Sequence, residues 1–235
     1  FGEWSLTTMT GFHLVQHTGS FFEYVPDEYA TLRDTYIKYR DMHIAQYGTQ
    51  TNAIWDAIPE MSKLSGYSFY TLSKVLAHIS IDLILKHPFL YLKNAASGWW
   101  MFWRAPVYWS ADALRLSWLA GGVKVLVLVE RMLVFLANML FIFTSIAFVL
   151  IEVFSAIRRK PSPLSMRSMN PIQYAFLWML LGNIWIASIL QTLLDHGDNP
   201  RFLVPLQSLV ILWVAAFILQ LVNSRKIGPS LPASS

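Results

Sequence analysis

The residues best suited to chemistry lie in one short polar stretch, Asp195-His196-Gly197-Asp198-Asn199-Pro200-Arg201, set between two long apolar runs. Arg201 carries a planar guanidinium, a group that pairs bidentately with a phosphate. Asp198 or His196 is near enough in sequence to orient it. The same stretch also reads as a solvated turn, because Gly, Asn and Pro are turn formers. His13 and His17 stand four apart, a spacing that brings two imidazoles together only on a helix. Gly11, Thr18 and Gly19 argue against a helix there, so these histidines read as unrelated loop residues and no metal site is expected. Glu23, Asp27 and Glu28 cluster in sequence, and the last two are explained as charges at a helix start. No Gly-rich phosphate loop and no Gly-x-Ser-x-Gly elbow occurs. There is no cysteine, which removes disulfides and thiolate metal sites.

The elements around the polar stretch are membrane spans. Only 14% of the 235 residues are charged and 55% are hydrophobic, against about a quarter charged in an ordinary soluble protein. The deficit is concentrated in the second half. Residues 132–157 carry no charge but Glu152, and residues 172–194 and 202–222 carry none. Each run is close to the roughly 20 residues that cross a bilayer core as a helix. Residues 123–129 are apolar too, bounded by Lys124, Glu130 and Arg131, and extend the first span. A separate span through 114–129 would be short.

Charge orients the spans. Arg158, Arg159, Lys160 and Arg167 lie between the first two, and Arg225 and Lys226 follow the third. Basic loops face the cytoplasm, which puts residues 1–110 and the Asp195–Arg201 stretch on the outer face. The net charge of +4 is thereby explained as topology-setting, and no nucleic-acid partner is expected. The tail 227–235, rich in Pro and Ser, reads as disordered and cytoplasmic. The opening residues lack the basic and apolar regions of a signal peptide. Export of residues 1–110 then implies earlier spans in a longer protein, of which this chain is the C-terminal part.

Within residues 1–110, residues 1–26 read as irregular structure or short strands. A helix is predicted over 27–47, opened by Asp27 and Glu28 and stopped by Gly48, and a second over 52–64, stopped by Gly66. A third begins near Ser68, with Phe69, Leu72, Val75, Leu76, Ile79, Leu83 and Ile84 on one face and Lys74, His78, Asp82 and Lys86 largely on the other. His87-Pro88 ends it. The next section, 89–109, holds Trp99, Trp100, Phe102, Trp103, Tyr108 and Trp109. It reads as an interfacial aromatic belt just before the first span, in preference to the aromatic core of the soluble part. The fold class is therefore an all-α membrane protein: a helical extracytoplasmic region (1–110) followed by about three transmembrane helices (111–226).

Two stretches resemble the GT-C membrane glycosyltransferases, a class that includes relatives of the dolichyl-phosphate-mannose protein mannosyltransferases and the bacterial aminoarabinose transferases. Asp198-Asn199-Pro200-Arg201-Phe202-Leu203-Val204-Pro205 resembles the Arg-Tyr/Phe-x-x-Pro element before a late transmembrane helix. The segment from Phe69 to His87-Pro88-Phe89-Leu90-Tyr91 resembles the helix and His-Pro-x-x-Tyr element before the C-terminal spans of bacterial members. Gly2 to Gly19 also resembles an outer loop of such proteins. The resemblance implies many transmembrane helices, a sugar donor on a polyprenyl phosphate, and chemistry at the extracytoplasmic face, with the catalytic acid in a first outer loop that is not recognisable here. It implies Arg201 as a phosphate contact, with Asn199 and Asp198 as weaker substrate-binding candidates. No cofactor is implied beyond the lipid-linked donor. The partners are membrane lipid, the polyprenyl-phosphate sugar and the N-terminal remainder of the protein, and the location is the bacterial inner membrane. The alternative is a non-enzymatic module, a transporter or assembly subunit with a partner-binding outer domain. Nearly charge-free spans favour the first reading, because transporters usually hold ionisable residues within theirs.

Overall fold

The computed structural model describes residues 7–104, 114, 117–158, 170–194 and 202–226. Among them every regular element is helical and no strand occurs. The chain divides into two compact units, one on Phe1–Phe102 with Ile189–Asn199 and the other on Trp103–Ser188 with Pro200–Ser235.

The first unit contains α1 (Thr10–Thr18), a 3₁₀ segment (Gly19–Tyr24), α2 (Ala30–Tyr47), α3 (Ala53–Ser65), α4 (Phe69–Lys86) and most of α5 (Pro88–Arg104). Residues 10–24 are helical and neither irregular nor stranded, and the histidines of α1 are not on a loop. The reason is Gly11, whose missing side chain lets α1 lie directly on α4. A Cβ there would fall 1.8 Å from the Ser73 carbonyl oxygen. The Gly11 N–H donates to Ser73 Oγ at 3.2 Å, and the Thr18 and Ser80 hydroxyls share a hydrogen bond of 3.1 Å. A helix interior loses roughly 1 kcal/mol to a glycine, and burial of Phe12 and Val15 between helices offsets that.

The remaining boundaries follow the sequence signals. Gly48 and Gly66 close α2 and α3 at φ +73° and +70°, donating to the Ile44 and Ser62 carbonyls at 2.9 Å each. This is the left-handed C-terminal turn that glycine adopts without steric cost. Ser68 Oγ accepts from the Thr71 N–H and caps α4. Pro88 opens α5, where its missing N–H costs no helical bond. Leu72, Leu76, Ile79 and Leu83 of α4 pack with Phe12, Phe22, Tyr36, Ile54 and Met61 in one core.

Among the described residues, the second unit holds three helices long and apolar enough to cross a membrane, and the chain is an integral membrane protein. They are α6 (Ser117–Arg158), α7 (Pro171–Leu194, whose last residues from Ile189 belong to the first unit) and α8 (Gln207–Lys226). As expected, residues 123–129 continue the first span without a break, making α6 42 residues long. The third span runs from Val204 to Val222, close to the expected 202–222. Phe202 precedes a 3₁₀ turn, Val204–Leu206, that contains Pro205, and the α-helix starts at Gln207.

Large aromatic side chains fill the interior of this unit. Trp213 stacks on Phe217 at 5.2 Å and meets Phe141 edge-on at 5.4 Å. Its indole N–H donates to the Leu177 carbonyl at 3.3 Å, so a buried donor keeps a partner. Leu126, Leu133, Phe143 and Ile157 of α6 are all more than 60% exposed, as suits helices whose outer faces meet lipid tails instead of water.

Candidate functional site

Asp198, Asn199 and Arg201 lie outside the described residues, as do Asp195 and His196. Their approach is described. α7 ends at Leu194, and the Tyr91 hydroxyl donates to the Leu193 carbonyl at 2.9 Å. Helix C-termini leave carbonyls without intrahelical donors, and Tyr91 supplies one. Burial pushes the Tyr91 phenol above its ordinary pKa. Tyr91 closes the His87-Pro88-Phe89-Leu90-Tyr91 element, so that element is bonded to the helix end that leads into residues 195–201.

The other end of the element is equally well fixed. The His87 N–H donates to Leu83 O at 2.8 Å. Its imidazole stacks on the Tyr24 ring at 4.4 Å and 29° and meets Phe21 edge-on at 6.2 Å. Further along α5, Asn94 Nδ2 donates to the His17 carbonyl at 2.6 Å and to Ser20 Oγ at 2.7 Å. These bonds hold α5 beside the 3₁₀ segment. Between them lies a partly open cleft of about 530 Å³, lined by Ser20, Glu23, Tyr24, Leu90, Lys93 and Asn94 together with Phe21.

Glu23 is fixed by Arg40, whose guanidinium nitrogen sits 2.7 Å from Glu23 Oε1. The hydrogen bond from Arg40 holds the Glu23 carboxyl below the usual carboxylate range, against the opposing effect of partial burial. Arg40 also donates to the Gly19 carbonyl at 3.1 Å. Gly19 is there of necessity, since a Cβ would meet the Tyr36 hydroxyl at 2.0 Å. Sequence reasoning missed this role of Glu23. Its partner lies on the next helix, and no local spacing joins the two.

His13 and His17 share α1, yet no group of three or more His, Asp or Glu suited to a metal occurs among the described residues. His17 is buried against the Tyr91 ring at 5.4 Å, a packing role. The aromatic section divides. Trp103 is fully buried and stacks on Phe141 at 5.5 Å, so it packs against a spanning helix of the second unit and not in an aromatic core of the first. Trp100 is 46% exposed, and Tyr108 and Trp109 lie outside the described residues.

Polar groups inside the second unit tie helices together. Gln207 donates to Asn138 Oδ1 at 3.1 Å, and Asn138 Nδ2 donates to the Trp103 carbonyl at 2.9 Å. Glu152 is buried, and the Tyr174 hydroxyl donates to its Oε2 at 3.1 Å. No protein-family model, curated protein or solved structure matches the chain.

Proposed function

We propose that the chain is the C-terminal portion of an integral membrane glycosyltransferase that moves a sugar from a polyprenyl-phosphate donor to an acceptor at the extracytoplasmic face of the bacterial inner membrane. An acceptor nucleophile forms a bond to the anomeric carbon while the bond from that carbon to the lipid phosphate breaks. The acceptor's proton passes to a carboxylate in the preceding region of the longer protein, and the phosphate leaves on its lipid. Arg201 stabilises the charge gathering on that phosphate, with Asn199 and Asp198 beside it. The observation that supports this reading best is the Tyr91–Leu193 hydrogen bond. It couples one stretch that resembles the family directly to the helix end preceding the other. The basic residues at 158–160, 167 and 225–226 support cytoplasmic loops there, and hence an outer position for 195–201.

The rival reading, a transporter or assembly subunit, draws on Glu152, a buried ionisable residue inside a span. Its bond to Tyr174 supplies a structural reason for its presence, and the transferase reading is preferred. The test uses the full-length protein in membrane vesicles with a radiolabelled polyprenyl-phosphate sugar. Arg201→Lys keeps the charge but loses the planar fork, so transfer falls. Arg201→Ala lowers it further, by about a hundredfold, and weakens donor binding. Asp195→Ala, outside the proposed site, reproduces the defect only if Arg201 merely pairs within the turn. Normal transfer by a well-inserted Arg201→Ala protein removes Arg201 from the site.

A further inference from the structure

The cleft beside the 3₁₀ segment is a built site whose chemistry can be read from its walls. Its volume of about 530 Å³ falls within the roughly 300–1,000 Å³ of small-molecule sites. Tyr24 is its aromatic surface, 58% exposed and backed by the stacked His87 ring. Because His87 is held at the junction of α4 and α5, this platform is set before any ligand arrives, and rigid surfaces lose little entropy on binding. Leu90 adds apolar wall. Around the ring stand a hydroxyl from Ser20, an amide from Asn94, a carboxylate from Glu23 and an ammonium from Lys93.

The charges decide what fits. Glu23 is 51% exposed while paired with Arg40, so a ligand can reach an ionised carboxylate. Lys93 is exposed and has no ion pair among the described residues. An anionic ligand meets Glu23, and a cation that would otherwise suit a tyrosine face and a carboxylate meets Lys93. A neutral ligand rich in hydroxyls satisfies both groups, donating to the carboxylate and accepting from the ammonium. It also needs an apolar face for the tyrosine ring. A pyranose has that combination, with axial C–H bonds on its face and hydroxyls around its edge.

We infer that the cleft between Gly19–Tyr24 and α5 binds a neutral saccharide through stacking on Tyr24 and hydrogen bonds to Glu23, Lys93 and Asn94. The further assignment of that saccharide as the acceptor rests on the proposed transfer reaction, whereas the binding itself does not.

Saturation-transfer NMR on the full chain in lipid nanodiscs tests this, with methyl β-D-glucopyranoside and methyl α-D-mannopyranoside as probes and no donor present. At least one glycoside should receive saturation at its ring C–H protons. Tyr24→Ala should cut that signal about fivefold or more, the scale of a lost aromatic contact, and Tyr24→Phe should retain most of it. Ser20→Trp, which leaves the platform but fills the cleft, should abolish it, and Lys86→Ala, outside the lining, should leave it unchanged. Absence of signal with both glycosides, or a signal unchanged in both Tyr24→Ala and Ser20→Trp, overturns the inference. Arg201→Ala should keep the full signal, so failure of the transferase reading and failure of this site are separate results. Intact transfer by a Tyr24→Ala protein that has lost the signal overturns the acceptor assignment.

Discussion

Replacing Gly11 with alanine is the sharpest available test of how the first unit is assembled. The new Cβ would lie 1.8 Å from the Ser73 carbonyl oxygen, 2.7 Å from the carbonyl carbon and 2.8 Å from the Ala77 nitrogen. All three are backbone atoms of α4, so no rotamer change relieves the clash and α1 must lift away. Such overpacking costs about 1–3 kcal/mol. Lifting also stretches the Gly11–Ser73 and Thr18–Ser80 hydrogen bonds, each contributing about 1 kcal/mol. Alanine returns about 1 kcal/mol of helix propensity. The net loss is roughly 2–4 kcal/mol, or on the order of 30- to 1,000-fold in local opening. Hydrogen–deuterium exchange on the full chain in nanodiscs reads this directly, since protection of α1 and α4 amides should fall by that factor. Gly122→Ala is the control, because its Cβ would meet nothing within 4 Å. Unchanged or increased protection of α1 in Gly11→Ala would refute the close-approach argument, since that is the result propensity alone gives.

Acid stability should depend on Glu23. Its folded pKa is depressed, so the Arg40 pair stabilises above the ordinary glutamate value of about 4.3 and is lost as pH falls through the lower folded value; Glu23→Gln should flatten this acid limb in a circular-dichroism titration, and an identical limb would contradict the pairing. Tyr174→Phe should destabilise detergent-solubilised protein by roughly 1–3 kcal/mol, the scale of leaving a buried acceptor without its donor. Glu152→Gln, which keeps an acceptor, should cost less in the same thermal scan. Single cysteines at Ser162 and Gly197 should label from opposite sides of the membrane, and equal labelling of both from outside would sink the three-span topology.

The spans were legible because a bilayer demands long charge-free runs, and residues 132–157, 172–194 and 202–222 have no soluble explanation. Gly48, Gly66 and His87-Pro88 were legible because chain termination is a local property of backbone geometry. α1 was not, since Gly11 weakens a helix in isolation, and only the α4 backbone beside it explains the residue. The third span was legible from its apolar run, while the 3₁₀ geometry of its first turn around Pro205 was not, since composition alone does not distinguish the two helix types. Trp103 was assigned by its neighbours in sequence, whereas its burial is decided by Phe141, far along the chain. The cleft escaped because its residues come from two separate segments and no motif announces them. Of the substrate-binding candidates Asp198, Asn199 and Arg201, only the helix end leading into them is described.

The length of α6 makes it a lever. Its 42 residues span roughly 63 Å at about 1.5 Å per residue, some twice the hydrocarbon thickness of a bilayer. With Arg158 at one end and residues 132–157 as the apolar pivot, the stretch back to Ser117 carries whatever tilt the lipid imposes. A swing of about 10° displaces a point about 30 Å from the pivot by roughly 5 Å, well within the tilts that bilayer mismatch produces. A helix of this length cannot lie wholly within the apolar layer, so its Ser117 end reaches past the hydrocarbon and any change of tilt is magnified there.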